Sequence, residues 1–83
     1  MALYLIGLPF AKTGLELAKR DSDAKVVLIE DGVYADASGF GEVYAVKEDV
    51  EKRGVASRIA GAKVIDYDEL VDLIVDNKVV NFV

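Results

Sequence analysis

Residues 26–35 read VVLIEDGVYA, and the boundary inside this stretch decides the predicted fold. The apolar run has no alternating polar positions, which is the pattern of a strand buried on both faces of a parallel sheet. We therefore predict a strand over residues 25–29, rich in β-branched side chains. Glu30, Asp31 and Gly32 end the strand. They predict a tight turn in which Asp31 bonds the backbone and Gly32 takes a positive φ.

Further apolar runs predict strands in the rest of the chain, at residues 2–6, 42–46, 62–65 and 79–83. Residues 36–41, which read DASGFG, predict a loop or a frayed helix end. Helix signals separate most of the strands. Thr13 and Glu16 have the spacing of a capping box, which predicts a helix from Thr13 to about Arg20.

Two further helical segments follow the third strand. Residues 48–53 predict a short charged helix, and Gly54 stands where a left-handed cap is expected. Residues 55–59 predict another helical turn.

The last predicted helix begins after Asp66, whose side chain is expected to cap it. Leu70, Leu73 and Ile74 have the spacing of a buried stripe, and Asn77 is expected to end the helix. In the sequence alone, five carboxylates in this segment resemble a metal cluster: Asp66, Asp68, Glu69, Asp72 and Asp76. Their spacing is not that of a calcium loop and matches a capped helix with a solvated face, so we expect no metal site.

This order of elements predicts one small three-layer α/β domain over residues 1–83. Its sheet is expected to be mostly parallel, with four or five strands and helices on both faces. Ligands of such sheets bind beyond the carboxyl ends of the strands. Three segments are expected there: residues 7–12, 30–34 and 47–49.

The composition excludes several classes of function. The chain contains no cysteine and no histidine, which removes disulfides, thiolate chemistry and the commonest general base and metal ligand. The net charge is −5 and the basic residues are scattered, so we expect no direct binding to nucleic acid. We also expect no cofactor, no membrane span and a cytoplasmic location, because no long apolar run or signal pattern is present.

The apolar content and the charge distribution point to a protein partner. Hydrophobic residues make up 53% of only 83 residues, so some apolar surface is expected to face another subunit. Residues 30–53 contain seven acidic and three basic side chains. Any electrostatic steering would therefore favour a basic partner.

The stretch 30–34 has three possible interpretations. Glu30 and Asp31 could form a general acid/base pair, but adjacent residues at a strand exit point in different directions and no nucleophile accompanies them. A structural turn is favoured over a binding loop, and catalysis is the least favoured. If the segment binds a partner or ligand, the candidate residues are Glu30, Asp31, Gly32, Val33 and Tyr34, together with Phe10 in the first strand-to-helix connection.

Three segments resemble the DsrH/TusB family: VVLIEDGVYA, VYAVKEDVEKRGV at residues 43–55, and KVIDYDELVDLIVDN at residues 63–77. The individual motifs are modest, but their order and spacing are fairly specific. The resemblance implies a small α/β subunit of a sulfur-relay complex. It also implies DsrE/TusD-like and DsrF/TusC-like partners, typically in a hetero-hexamer. Such complexes serve 2-thiolation of the tRNA wobble uridine or sulfur oxidation.

The chain departs from this family in one respect. Some members of the family that the chain resembles carry a cysteine in the first helix, near the positions of Glu16 and Leu17 here. A persulfide needs a thiolate sulfur, so this chain cannot carry relayed sulfur itself. We expect a non-catalytic, structural or docking subunit. The alternative is a homo-oligomer, for example a homodimer, that binds a small ligand or a protein outside any sulfur pathway.

Overall fold

The computed structural model describes residues 2–7, 10–35, 37, 39–54 and 62–82 of the chain. They form β1 (Ala2–Ile6), α1 (Ala11–Ala18), β2 (Lys25–Leu28), β3 (Glu42–Val46), α2 (Lys47–Arg53), β4 (Lys63–Ile65), α3 (Tyr67–Asp76) and β5 (Lys78–Phe82). A short 3-10 helix over Glu30–Tyr34, called the acidic turn below, follows β2. The helical turn predicted for residues 55–59 lies outside the described residues.

The five strands form one sheet in the order β4-β3-β2-β1-β5, and every pairing is parallel. The predicted α/β fold is thus confirmed, with β5 forming the fifth strand. Its backbone pairing with β1 continues past Ile6, since the Gly7 N–H donates to the Phe82 carbonyl at 2.9 Å. None of the helices in the described part of the chain is long and apolar enough to cross a membrane.

The two faces of the sheet are covered differently. On one face, side chains of β1, β2 and β3 pack with α1, α2 and the acidic turn, in a cluster that contains Ile6, Leu28, Val33 and Val50. The opposite face is centred on Leu3, Val27, Val46, Ile65 and Leu70. Among the described residues, α3 is the only helix on this second face.

Helix α1 begins earlier than predicted, and Thr13 does not cap it. The first turn starts after Phe10, whose carbonyl accepts the Gly14 N–H at 2.9 Å, so Thr13 lies inside the helix. The helix also approaches the sheet closely at Gly14. A Cβ there would lie 2.5 Å from Ile6 Cδ1 and 2.9 Å from Phe82 Cγ. This contact, which no local pattern signals, explains a glycine in mid-helix.

The other helices follow the prediction more closely. Asp66 caps α3, since its Oδ1 accepts the Glu69 N–H at 2.9 Å, and Gly54 ends α2 with φ 62°. Asn77 ends α3 and donates from Nδ2 to the Leu73 carbonyl. The predicted buried stripe is wrong at Ile74, which is 38% exposed. Only Leu70 is buried, with Leu73 half-buried beside it.

Replacing Gly14 with alanine is expected to destabilise the chain by about 1–3 kcal/mol, because the added Cβ overpacks against Ile6 and Phe82. Urea unfolding measures this difference. Thr13→Ala is the matched control in the same helix, and its effect is expected to stay within about 0.5 kcal/mol. If Thr13→Ala lowered the free energy of unfolding by about 1 kcal/mol, the result would indicate that the Thr13 side chain does cap the helix.

Candidate functional site

Parallel pairing brings the carboxyl ends of the strands to one edge of the sheet. The acidic turn follows β2 there, α2 begins directly after β3, and α3 begins after β4. This edge is the place where ligands and partners of parallel sheets bind. Of the three predicted segments, the acidic turn and the start of α2 are joined there by a hydrogen bond from the Glu30 N–H to Asp49.

Gly32 lies at this edge, at a position where no residue with a side chain fits. A Cβ on Gly32 would lie 2.0 Å from the Ile6 carbonyl oxygen, which already accepts the Ile29 N–H at 3.0 Å. The predicted positive φ at Gly32 is wrong, because the acidic turn is a 3-10 helix in which Gly32 is helical. Its glycine is required by close approach to the backbone of β1. Val33, the next residue, is buried in the core.

Glu30, rather than Gly32, takes the left-handed conformation, with φ 49°. This backbone conformation costs a non-glycine residue about 1–2 kcal/mol. The Glu30 N–H is held by the Asp49 carboxylate, whose Oδ2 accepts it at 2.8 Å. A hydrogen bond to a charged acceptor contributes about 1.5–3 kcal/mol, which is enough to offset the strain.

Asp49 and Arg53 connect α2 to the acidic turn. Arg53 Nε donates to Asp31 Oδ1 at 2.7 Å, and its Nη1 donates to Asp49 Oδ1 at 3.3 Å. The side chains of Arg53 and Asp49 are only 16% and 13% exposed, whereas that of Asp31 is 61% exposed. The hydrogen bond to Asp31 raises the pKa of Arg53 further above its already high value. We call Asp31, Asp49 and Arg53 the clamp.

The clamp gives Glu30 and Asp31 different surroundings. Asp31 is turned toward Arg53, and the Glu30 side chain is exposed. Among the described residues, no group of three or more carboxylates is placed to hold a metal ion.

Large aromatic side chains stand exposed around this edge. Phe10 at the start of α1, Tyr34 in the acidic turn and Tyr67 at the start of α3 are 51%, 53% and 48% exposed. The negative charge of Asp49 raises the pKa of Tyr67, with smaller contributions from partial burial, Glu48 and Glu30. Arg53 acts in the opposite direction, but the net effect favours the protonated phenol.

The sequence pointed to the segments of this site but missed its main connections. Phe10 and Tyr34 lie at the predicted edge and are exposed. The sequence places Asp49 there only as part of residues 47–49 and makes neither Arg53 nor Tyr67 a candidate. The i, i+4 spacing of Asp49 and Arg53 is a signal for their ion pair. No comparable signal links Arg53 to Asp31.

An open groove lies beside the edge, between α1 and Ala35. Its lining residues are Ala11, Lys12, Leu15, Glu16, Lys19 and Ala35. Glu16 thus stands in the groove wall. The carboxylate supplies no sulfur chemistry there.

Replacing Glu30 tests the strained turn. Glu30→Gly is expected to be more stable than Glu30→Ala by about 1 kcal/mol, because glycine adopts the left-handed conformation freely. Urea unfolding of the two variants measures the difference. An alanine variant as stable as the glycine variant, or more stable, would contradict the assigned backbone conformation. At a position with ordinary negative φ, glycine is the less stable choice because it makes the unfolded chain more flexible.

The pKa of the Tyr67 phenol is expected to lie above its ordinary value of 10.0. ¹³Cζ NMR follows the titration of each tyrosine separately and measures this pKa. Because the folded chain then holds this proton more tightly than the unfolded chain, the free energy of unfolding falls as pH rises from about 10 to the folded pKa. Glu48→Gln is expected to lower that pKa. Glu51→Gln, on the same helix, is the control, and an equal effect of both would contradict the assigned cause.

Comparisons with known proteins agree with this architecture. A family model described as DsrH like protein matches residues 9–80. Among solved structures, the chain is similar to the solution NMR structure of protein Tm0979 from Thermotoga maritima. The two share 30% sequence identity with a TM-score of 0.66, over 92% of this chain and 93% of that chain. No curated protein matches the chain.

Proposed function

The chain belongs to the DsrH-like family, and from this premise we propose that it is a non-catalytic subunit of a cytoplasmic sulfur-relay complex. Its partners in the proposal are DsrE/TusD-like and DsrF/TusC-like chains. The relayed sulfur serves either 2-thiolation of the tRNA wobble uridine or sulfur oxidation.

The observation that carries the proposal is a family match over most of a chain without cysteine. A persulfide forms only on a thiolate sulfur, so the transferred sulfur resides on a partner in this proposal. The chain contributes shape and charge. Its acidic turn, held against α2 by the clamp, is the loop that we place beside the partner's reactive cysteine.

The exposure of the edge supports this docking role. Tyr34 and Tyr67 present large amphipathic side chains to solvent, which is typical of residues that anchor protein interfaces. The clamp fixes the backbone from Glu30 to Asp31 before any partner binds, and preorganised loops lose less entropy on association.

Mixing the chain with DsrE- and DsrF-like chains from the same source is expected to yield a larger species, and a hetero-hexamer is the expected assembly. Light scattering on a sizing column measures its mass. A stable homo-oligomer that ignores both chains would contradict the proposal. It would favour the alternative, a homo-oligomeric module that binds a small ligand or a protein.

A second measurement addresses the acidic turn. Val33 is buried and Gly32 has no space for a side chain, so the informative substitutions are at exposed positions. Tyr34→Ser combined with Glu30→Gln is expected to slow transfer of ³⁵S from the partner's persulfide, measured in the assembled complex. Glu51→Gln on exposed α2 surface is the control. Unchanged assembly and transfer in the double variant would remove the assigned role of the turn.

A further inference from the structure

One flank of α3 is apolar and uncovered in the described part of the chain. Tyr67, Val71, Ile74 and Val75 are between 38% and 77% exposed. Their spacing of i, i+4, i+7 and i+8 places them along one side of the helix. We call these four residues the α3 flank.

Among the described residues, little covers the sheet face beneath α3. Its contact with the helix is made through buried Leu70 and half-buried Leu73. Val79 of β5 pairs in register with Leu3, so both side chains point to this face, yet Val79 is 36% exposed. The opposite face is packed by two helices and the acidic turn. Over the described ranges, the second face therefore leaves apolar surface exposed.

The charges of α3 argue against a second copy as the occupant. The helix reads YDELVDLIVD, with acidic Asp68 and Asp72 beside the α3 flank and no basic residue. In an antiparallel two-fold pair, the acidic edges of the two helices would lie side by side. Like charges so placed disfavour that pairing, whereas lysine or arginine on a partner would complement them.

We propose that the α3 flank docks a partner protein that presents an apolar ridge edged by lysine or arginine side chains. The valines and Ile74 supply the area that is buried, and the neighbouring carboxylates select the partner's charge. Tyr67 joins this surface to the acidic turn, and its ring can stack on an arginine. This proposal deepens the proposed function and rests on it, since it assigns the face used by a DsrE- or DsrF-like subunit.

The test compares affinities of variants for the DsrE- and DsrF-like chains by titration calorimetry. Val71→Ser combined with Val75→Ser is expected to weaken binding about tenfold or more. Asp72→Lys is expected to weaken it too, with a smaller effect in high salt. Leu17→Ser, an exposed apolar position on α1, is the matched control and is expected to bind like the wild type. Val75→Gln replaces the double variant if that variant does not fold.

The outcomes separate this proposal from the proposed function. A complex whose affinity is unchanged by the α3 substitutions overturns the docking surface and leaves the relay subunit intact. A wild-type chain that binds neither subunit overturns both. If the chain alone is oligomeric and substitution of the two valines makes it monomeric, a second copy is the occupant and the docking proposal is overturned.

Discussion

Parallel pairing of all five strands is the constraint on which the rest of the structure depends. It sends the acidic turn, the start of α2 and the start of α3 to the same edge of the sheet. Only in this arrangement does Asp49, directly beyond β3, reach the backbone of Glu30 directly beyond β2. An antiparallel β3 would have placed the two residues at opposite ends of their strands, and no clamp could form.

Asp49 links the shape of this edge to its charge. The same carboxylate accepts the Glu30 N–H, pairs with Arg53 and is the main cause of the raised pKa of Tyr67. A side chain this well buried is stable in its charged form only with such partners. Changing Asp49 would therefore release the acidic turn and alter the field around Tyr67 together. Geometry and electrostatics at this edge are not independent properties.

The sequence predicted what depends on local pattern. Doubly buried strands are continuous apolar runs, so the order of strands and helices along the chain and the parallel class were predictable. The cap formed by Asp66 was predictable too. The errors arose where distant segments meet. Thr13 has capping-box spacing, but α1 starts earlier and packs Gly14 against Ile6. Position 32 must be glycine because the backbone of β1 lies against it. Arg53 pairs with Asp31, which is 22 positions away in the sequence. Neither contact leaves a local signature.

The unequal covering of the two faces bears on why such a small chain would associate. In the part of the chain that the structure describes, only α3 covers one face, through Leu70, while much of the helix's outward surface is exposed valine, isoleucine and tyrosine. Burying that surface is favourable against any apolar partner, so it gives free energy without choosing the partner. The carboxylates beside that surface provide specificity, because they repel an acidic partner and attract a basic one. On the proposed docking surface, stability and specificity thus come from adjacent sides of one ten-residue helix.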